Sequence, residues 1–319
     1  MFIRSHATIC HQPTFRQPGF SVGMKPLGPG SEIFSPDYKE MISAAQRRRM
    51  SPVLKMALAC ALEAIQLAEV AQPEGIIVGS GLGSSTHTQK FLDKIIDTPE
   101  GSLISPTSFI LSTHNTIAGQ ISLALKNPHY NTTYTHHSLS FEQAMLDAIM
   151  CLEEGANNIL VGGADEGPNV LYSLRARVGK SEARATCGTS FFILSEKPQT
   201  GDLSLLGCES HSQIKNNFAL IHQFLDRHQI VAKGLSLILF SSHQEAFRQE
   251  LHNQFPQSTC LDISSLVGTY LTSSAFALAY AADYLRHAPP EQRGPILICN
   301  HLLPEHLGLM LIAPQTTAS

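Results

Sequence analysis

Charged residues are scarce in this chain of 319 residues: only 15% are Asp, Glu, Lys or Arg, whereas 43% are hydrophobic. An average globular protein has about 25% charged residues, so we expect part of the surface to be hidden, as in an oligomer. The 22 basic and 26 acidic residues give a formal net charge of −4, which offers no electrostatic basis for binding nucleic acid or a membrane surface. The hydrophobic fraction is ample for a large core and excludes a disordered chain.

Paired cysteines are also missing. Seven cysteines, an odd number, are scattered along the chain without a C-x-x-C pair, which argues against a disulfide framework and against a cysteine zinc site. No stretch approaches about 18 consecutive apolar residues, and residues 1–20 carry His and Gln where a signal peptide needs an apolar core. These features predict a cytoplasmic protein without a membrane span and without a secretion signal.

Two familiar ligand motifs are incomplete. The glycine-rich run from Gly79 to Ser85 lacks the G-K-[ST] of a phosphate loop and the spacing of a dinucleotide fingerprint, so we interpret it as a close-packed turn. Fifteen histidines are present, but neither His136-His137 nor His114 has a further histidine or carboxylate at metal-ligand spacing. We therefore expect no metal, no nucleotide and no other cofactor.

Helices and short apolar strands alternate along the chain, which indicates α/β layers. Ser51-Pro52 predicts a helix start, and few charges interrupt the helix from Val53 to Val70, while Gly75 to Gly79 is typical of a strand buried on both faces. Further helices are predicted over 116–125, 141–154, 217–228, 246–255 and 273–286, and further strands over 158–161, 191–195, 235–240, 295–299 and 308–312. We expect one compact unit of two βαβ-rich halves, residues 1–170 and 171–319.

The segment from Tyr134 to Ala144 passes from an extended stretch into an apolar helix, with Ser138 at the transition. A serine at a helix N-terminus is a candidate nucleophile, because the helix dipole favours its developing negative charge and a neighbouring histidine can act as its base. The same segment also fits a structural role, in which Ser140 and Gln143 form a capping box and Ser138 turns the chain. The residues alone leave both interpretations open.

Several short strings occur in the order found in β-ketoacyl synthases. They are Arg48 to Ser51, Ala61 to Ile65, Ile77 to Gly83, Ser105 to Phe109, Asn115 to Ile121, Gly155, and Val161 to Asp165. Through them the chain resembles the ketosynthase branch of the thiolase-fold condensing enzymes, most clearly over residues 40–170. The resemblance implies a five-layered αβαβα fold of two βαβ-rich halves and acyl substrates carried on acyl carrier protein.

The resemblance also locates departures from the family's catalytic set. It places Ser138 at the position of the nucleophilic cysteine, and Tyr270 or Thr269 where one catalytic histidine is expected. Ser265 falls near the position of the family's lysine. The other histidine belongs to a histidine-glycine-threonine motif after a strand, where this chain has only the displaced candidate His243.

Condensation needs a thiolate that carries the acyl chain and imidazoles that stabilise the enolate. The resemblance therefore implies a non-condensing, chain-length-factor-like subunit that pairs with a catalytic β-ketoacyl-ACP synthase in polyketide, aryl-polyene or fatty-acid-type biosynthesis. In this interpretation His137, Phe109, Tyr270 and Asn300 face the acyl tunnel. Asn300 is the one residue that is kept from the family's gate after the penultimate strand.

The resemblance implies that the partner is a catalytic ketosynthase in a heterodimer or a second copy in a homodimer, and that the strand from Asn131 to Tyr134 pairs across the two-fold axis. Arg47-Arg48-Arg49 is either a solvated helix face or a docking patch for the acidic carrier protein.

Two other interpretations stay open. One is a serine acyltransferase or hydrolase in which Ser138 is acylated from a carrier-protein or coenzyme A thioester, with His137, His243 or His301 as base. The other is a purely structural pseudoenzyme. Whether the chain is itself an enzyme depends on which of these is correct.

Overall fold

The computed structural model describes residues 1–99, 103, 105–167 and 185–315. The strands are β1 (Phe2–Ile9), β2 (Gly75–Gly79), β3 (Tyr130–Tyr134), β4 (Asn158–Asp165), β5 (Gly188–Ser195), β6 (Leu203–Ser212), β7 (Leu237–Ser242), β8 (Thr259–Asp262), β9 (Ile296–His301) and β10 (His306–Pro314). The α-helices are α1 (Ala44–Arg47), α2 (Pro52–Leu67), α3 (Ser85–Asp97), α4 (Pro106–Ser112), α5 (Thr116–Leu125), α6 (Ser140–Glu153), α7 (Asn217–Arg227), α8 (Glu245–Gln254), α9 (Ile263–Val267) and α10 (Ser273–His287). Short 3₁₀ turns occur at Tyr38–Glu40, His137–Leu139, Ala232–Gly234 and Pro290–Gln292.

The sheet contains the same strand pattern twice. Its order is β3-β2-β4-β5-β1-β6-β10-β9-β7-β8. In the first five strands β2 pairs in parallel with β3 and β4, and β5 pairs antiparallel with β4 and β1. Strands β7, β8, β9, β10 and β6 repeat these pairings, and the two sets meet where β1 contacts β6 at Phe2 and Ile3. Two βαβ-rich halves therefore share one topology.

Along the chain, β5 is the last strand of the first set and β6 is the first described strand of the second set. The boundary between the two sets in the sequence therefore lies between Ser195 and Leu203. The division of the chain at residue 170, expected from the sequence, stays a prediction.

Three hydrophobic clusters stack the elements into five layers. Helices α2 and α5 cover one face of the first set of strands, and α7 and α8 cover the far face of the second set. Helices α6 and α10 lie between the two sets. Successive side chains of β2 point to opposite faces of the sheet. Ile77 therefore packs in the central cluster, while Ile76 and Val78 pack in the outer one. The αβαβα arrangement confirms the predicted fold class.

The apolar helices α2 and α5 of the outer layer are where sequence and structure agree best. The helix predicted over 116–125 has those bounds, and the helix expected from Val53 to Val70 runs from Pro52 to Leu67. It ends early because Glu69 adopts a left-handed conformation with φ of 53°. In the described ranges, no helix has the length and apolar character needed to cross a membrane.

Candidate functional site at the β3 to α6 elbow

Ser138 lies in a tight elbow between β3 and α6. The chain leaves β3 at Tyr134, forms the 3₁₀ turn His137–Leu139 and enters α6 at Ser140. The packing of α6 on β2 is very close at Gly79, where a Cβ atom would overlap the backbone of Ser140. His137 takes up the sharp change of direction with a positive φ of 48°.

The expected capping box is wrong. Ser140 is the first residue of α6, not its cap, and its Oγ accepts a hydrogen bond from the His136 N–H at 2.8 Å and donates one to the His137 carbonyl at 2.7 Å. The hydroxyl of Ser140 therefore holds the elbow closed. The N-cap residue of α6 is Leu139, whose apolar side chain makes no capping hydrogen bond.

A histidine that sequence analysis did not single out contacts Ser138. The Ser138 Oγ is fully buried and lies 2.8 Å from Nδ1 of His306, the first residue of β10. His306 stacks on His136 with 5.3 Å between the ring centroids and 13° between the planes, and His137 lies on it at 6.2 Å. Burial, together with the nearby His136 and His137, lowers the pKa of His306. Its imidazole is therefore neutral at pH 7. In the tautomer with Nδ1 unprotonated, Nδ1 accepts a hydrogen bond from the Ser138 hydroxyl.

Asn300 fixes the backbone of the elbow from the opposite half of the fold. Its Nδ2 donates to the Ser138 carbonyl at 2.7 Å and to Oε1 of Glu142 at 2.8 Å. Glu142 is fully buried one helical turn after Ser138, and burial raises its pKa to about 7. Gly308 of β10 leaves room for this carboxyl, since a Cβ atom there would overlap it. Asn300 is thus a positioning residue for the elbow.

A second buried carboxylate ties the glycine-rich run to the turn before α10. Asp165, at the end of β4, accepts hydrogen bonds from the backbone N–H groups of Gly81 and Leu82 at 2.9 Å and of Thr272 at 2.8 Å. Burial raises the pKa of Asp165 to about 6. Gly81 also lies against Leu271, which confirms the prediction that the glycine-rich run is a close-packed turn.

The residues that replace the family's first histidine and its lysine have structural contacts. The ring of Tyr270 is buried against Gly188, and its hydroxyl has no hydrogen-bond partner in the described part of the chain. Burial raises the pKa of Tyr270 well above its ordinary value, so the phenol is no base. The Thr269 carbonyl accepts from the Thr186 N–H at 2.9 Å, and the Ser265 Oγ donates to the Asp262 carbonyl at 2.6 Å.

The other predicted histidines lie elsewhere. His243 is exposed after β7. His301 is buried, with Nδ1 3.0 Å from Ser242 Oγ, Nε2 3.1 Å from Asn217 Nδ2 and its ring stacked on Phe247 at 4.2 Å. Burial lowers the pKa of His301 to about 4. The histidine that bonds Ser138 is instead His306, and its one sequence signal is its place at the start of β10.

The remaining predicted residues are at the surface of the single chain. Phe109 is 57% exposed on α4 and packs against Phe91 of α3, with 5.7 Å between the rings. His137 is exposed at the elbow, and Arg48 and Arg49 are exposed at the end of α1, where Arg47 is half-buried. Their roles in acyl binding and carrier docking stay predictions. The described part of the chain contains no group of three or more His, Cys, Asp or Glu side chains that could hold a metal ion.

β3 leaves one edge of the sheet open, because it is the end strand and pairs with β2 alone. The Tyr134 carbonyl bonds the Ser80 N–H, so the backbone groups of alternate residues, Thr132 and Tyr130, also point to β2. The backbone groups of Asn131 and Thr133 therefore point to the open edge.

Large apolar side chains are also exposed on α3 and α4. Helix α3 contacts α4, α4 contacts α5, and α5 contacts β3. The exposed side chains form what we call the apolar α3–α4 surface, which consists of Leu92, Ile95, Ile96, Phe109 and Ile110. A patch of this kind on a folded protein marks a site of interaction.

Comparisons with known proteins agree with this architecture. The family model described as "Beta-ketoacyl synthase, N-terminal domain" matches residues 31–234. The ishigamide ketosynthase/chain length factor is 16% identical, with a TM-score of 0.78 over 99% of both chains. A type II polyketide synthase acyl carrier protein in complex with its ketosynthase is 14% identical, with a TM-score of 0.79 over 98% of this chain and 99% of that one. A ketosynthase in complex with its chain length factor from Xenorhabdus doucetiae is 18% identical, with a TM-score of 0.52 over 67% of this chain and 83% of that one. No curated protein matches the chain.

Proposed function

We propose, from the premise that this chain belongs to the β-ketoacyl synthase family, that it is a non-condensing member that pairs with a catalytic β-ketoacyl synthase as a chain-length-factor-like subunit. The observation that carries this proposal is the elbow itself. The resemblance assigns this elbow to the family's nucleophilic cysteine, but the elbow carries the hydroxyl of Ser138.

The chemistry of the elbow does not support decarboxylative condensation. A thiol near pH 7 supplies a small fraction of thiolate and is strongly nucleophilic, whereas a serine hydroxyl needs a base for every attack. Condensation also needs donors that stabilise the enolate of the incoming extender. At the position that the resemblance assigns to one such donor the chain has Tyr270, whose buried hydroxyl bonds nothing among the described residues. At the other, His243 is exposed at the end of β7.

The surface supports pairing with another subunit. The open edge of β3 offers unpaired backbone groups, which proteins usually cover. The apolar α3–α4 surface is linked to β3 through α5, which contacts both α4 and β3. An obligate interface commonly buries more than about 2,000 Å² and is apolar. The low charged fraction of 15% agrees with such an interface.

The proposed role of this subunit depends on the shape that it gives to the acyl pocket of its partner. In such a pair the elbow and the neighbouring helices of this subunit would lie against the acyl pocket of the catalytic subunit and limit the length of the growing chain. Acyl carrier protein would deliver the substrate to the pair, in polyketide, aryl-polyene or fatty-acid-type biosynthesis. All seven cysteines are unpaired, which agrees with a cytoplasmic location.

The test is co-expression with the ketosynthases encoded by neighbouring genes, with an affinity tag on the synthase. Asn131→Pro removes one outward N–H of β3 and also the bond from Asn131 Nδ2 to the Ala118 carbonyl at 3.0 Å. Asn131→Ala removes the side-chain bond alone and is the matched control. We expect the wild type and Asn131→Ala to co-purify with a synthase and Asn131→Pro to be lost, while all three melt at similar temperatures. A wild type that pairs with no synthase offered would contradict the proposal.

A further inference from the structure

We infer that the elbow is also an acyl-acceptor site, in which Ser138 takes an acyl group from a thioester as an ester and His306 is its general base. This activity goes beyond the proposed pairing and does not depend on it. It assigns a function to a contact between two distant parts of the chain, separated by 168 residues.

The geometry of the pair meets the requirement for serine activation. Ser138 Oγ and His306 Nδ1 lie 2.8 Å apart, within the range that proton transfer needs. The imidazole is held in place, because His306 belongs to the β10 ladder opposite Ser212 and its ring is stacked on His136. Asn300 holds the serine from the other side through its bond to the Ser138 carbonyl.

The electrostatic environment favours an attacking hydroxyl. Ser138 lies two residues before α6, a helix of 14 residues whose N-cap residue, Leu139, has no polar side chain, so the positive end of the helix dipole faces the elbow. Burial, with His136 and His137, lowers the pKa of His306 against the opposing effect of Glu305, and so favours the neutral imidazole. A neutral imidazole beside a hydroxyl is the form that can accept its proton.

Access to the pair requires a side-chain movement, because Ser138 has no exposed surface in this conformation. The imidazoles of His136 and His137 lie on His306 and are themselves reached by solvent. Acylation of Ser138 requires that rotation of these two side chains opens a route to the serine.

The reaction balances without a cofactor. The Ser138 oxygen attacks the thioester carbonyl carbon while its proton moves to Nδ1 of His306. The carbon–sulfur bond then breaks, and the departing thiolate takes the proton from His306. The products are an acyl ester on Ser138 and a free thiol, and water or another acceptor can release the acyl group by the reverse sequence.

The experiment incubates the purified protein with octanoyl-N-acetylcysteamine and, separately, with octanoyl-coenzyme A. Intact-mass measurement and peptide mapping then follow the acyl group. We expect one octanoyl group on the peptide that contains Ser138, none in Ser138→Ala, and an unchanged amount in Thr135→Ala, which removes a nearby exposed hydroxyl.

The role of His306 is tested by rate and by pH. We expect His306→Phe, which keeps an aromatic ring in the stack, to slow acylation by about 100-fold or more. The wild-type rate should fall on the acidic side as His306 becomes protonated, and His306→Phe should lose this dependence. Acylation of Ser138 at the wild-type rate in His306→Phe would overturn the assignment of the base.

Ser138→Cys controls for access, since a thiol at the elbow reports entry by alkylation with iodoacetamide. If the thiol is alkylated and the wild-type serine takes no acyl group, the serine is reachable but inert and the inference fails. If neither reacts, the elbow stays closed in solution and the inference fails as well. Co-purification with a synthase is measured on the same samples, so loss of acylation with intact pairing refutes this inference alone.

Discussion

The buried carboxyl of Glu142 makes a sharp prediction about stability and pH. Its pKa is raised to about 7 by burial, whereas a glutamate in an unfolded chain titrates near 4.5. Between these values the folded protein holds a proton that the unfolded chain has lost, so the free energy of unfolding falls as pH rises. The contribution of Glu142 to the free energy of unfolding is fully present below pH 4.5 and is lost once the pH passes 7.

The size of the effect follows from the difference between the two pKa values. A difference of about 2.5 corresponds to about 3 kcal/mol, at 1.36 kcal/mol for each pH unit. Glu142→Gln keeps the length of the side chain and an oxygen that can accept from Asn300 Nδ2, but it cannot ionise. We therefore expect Glu142→Gln to be more stable than the wild type at pH 8, by about 1 to 3 kcal/mol.

The assay is urea unfolding of wild type and Glu142→Gln at several pH values from 5 to 8. Other buried groups also contribute: Asp165 has the same sign as Glu142, while His301, with its pKa lowered to about 4, has the opposite sign. These contributions are common to both proteins and cancel in the difference. The advantage of Glu142→Gln should grow steadily from pH 5 to pH 8, and a difference that does not change with pH would refute the reasoning.

Two further predictions concern packing, and urea unfolding checks both. Gly79→Ala should destabilise the protein by about 3 kcal/mol or more, because the new methyl group overlaps the backbone of Ser140. Gly119→Ala, in open space within α5, should stabilise it by about 0.5 to 1 kcal/mol. Equal effects of the two substitutions on the free energy of unfolding would contradict the packing of α6 on β2. Tyr270→Phe removes a buried hydroxyl without a partner and should stabilise the protein by about 1 kcal/mol; a comparable loss would show that the hydroxyl is bonded.

The layers of the fold are predictable from the sequence because several of its strands and helices are apolar on nearly every side. The strand Gly75–Gly79 is buried at every position, and so are most residues of α2 and α10. Elements with one polar face were missed. β1 alternates half-buried and buried residues, with Arg4 and His6 on one side, so its composition hides a central strand.

The site was predictable only in part. The place of Ser138 follows from local pattern, since a short strand leads directly into a helix. The contact with His306 depends on the order of strands in the second half, because β10 reaches the elbow only through its pairing with β9 and β6. No spacing along the chain encodes that arrangement, and for this reason His243 and His301 were considered instead.

The duplicated topology explains how the chain can depart from the family's catalytic set and keep its fold. β4 and β9 hold equivalent positions in the two sets of strands, and α6 and α10 are the central helices that precede them. Asp165, at the end of β4, bonds the Thr272 N–H at the start of α10, and Asn300, near the end of β9, bonds the Ser138 carbonyl at the start of α6. Each half therefore anchors the central helix of the other with a buried polar side chain. These anchors bond backbone atoms, so the side chains at 138 and 270 can change their chemistry while the elbow and the turn before α10 stay in place.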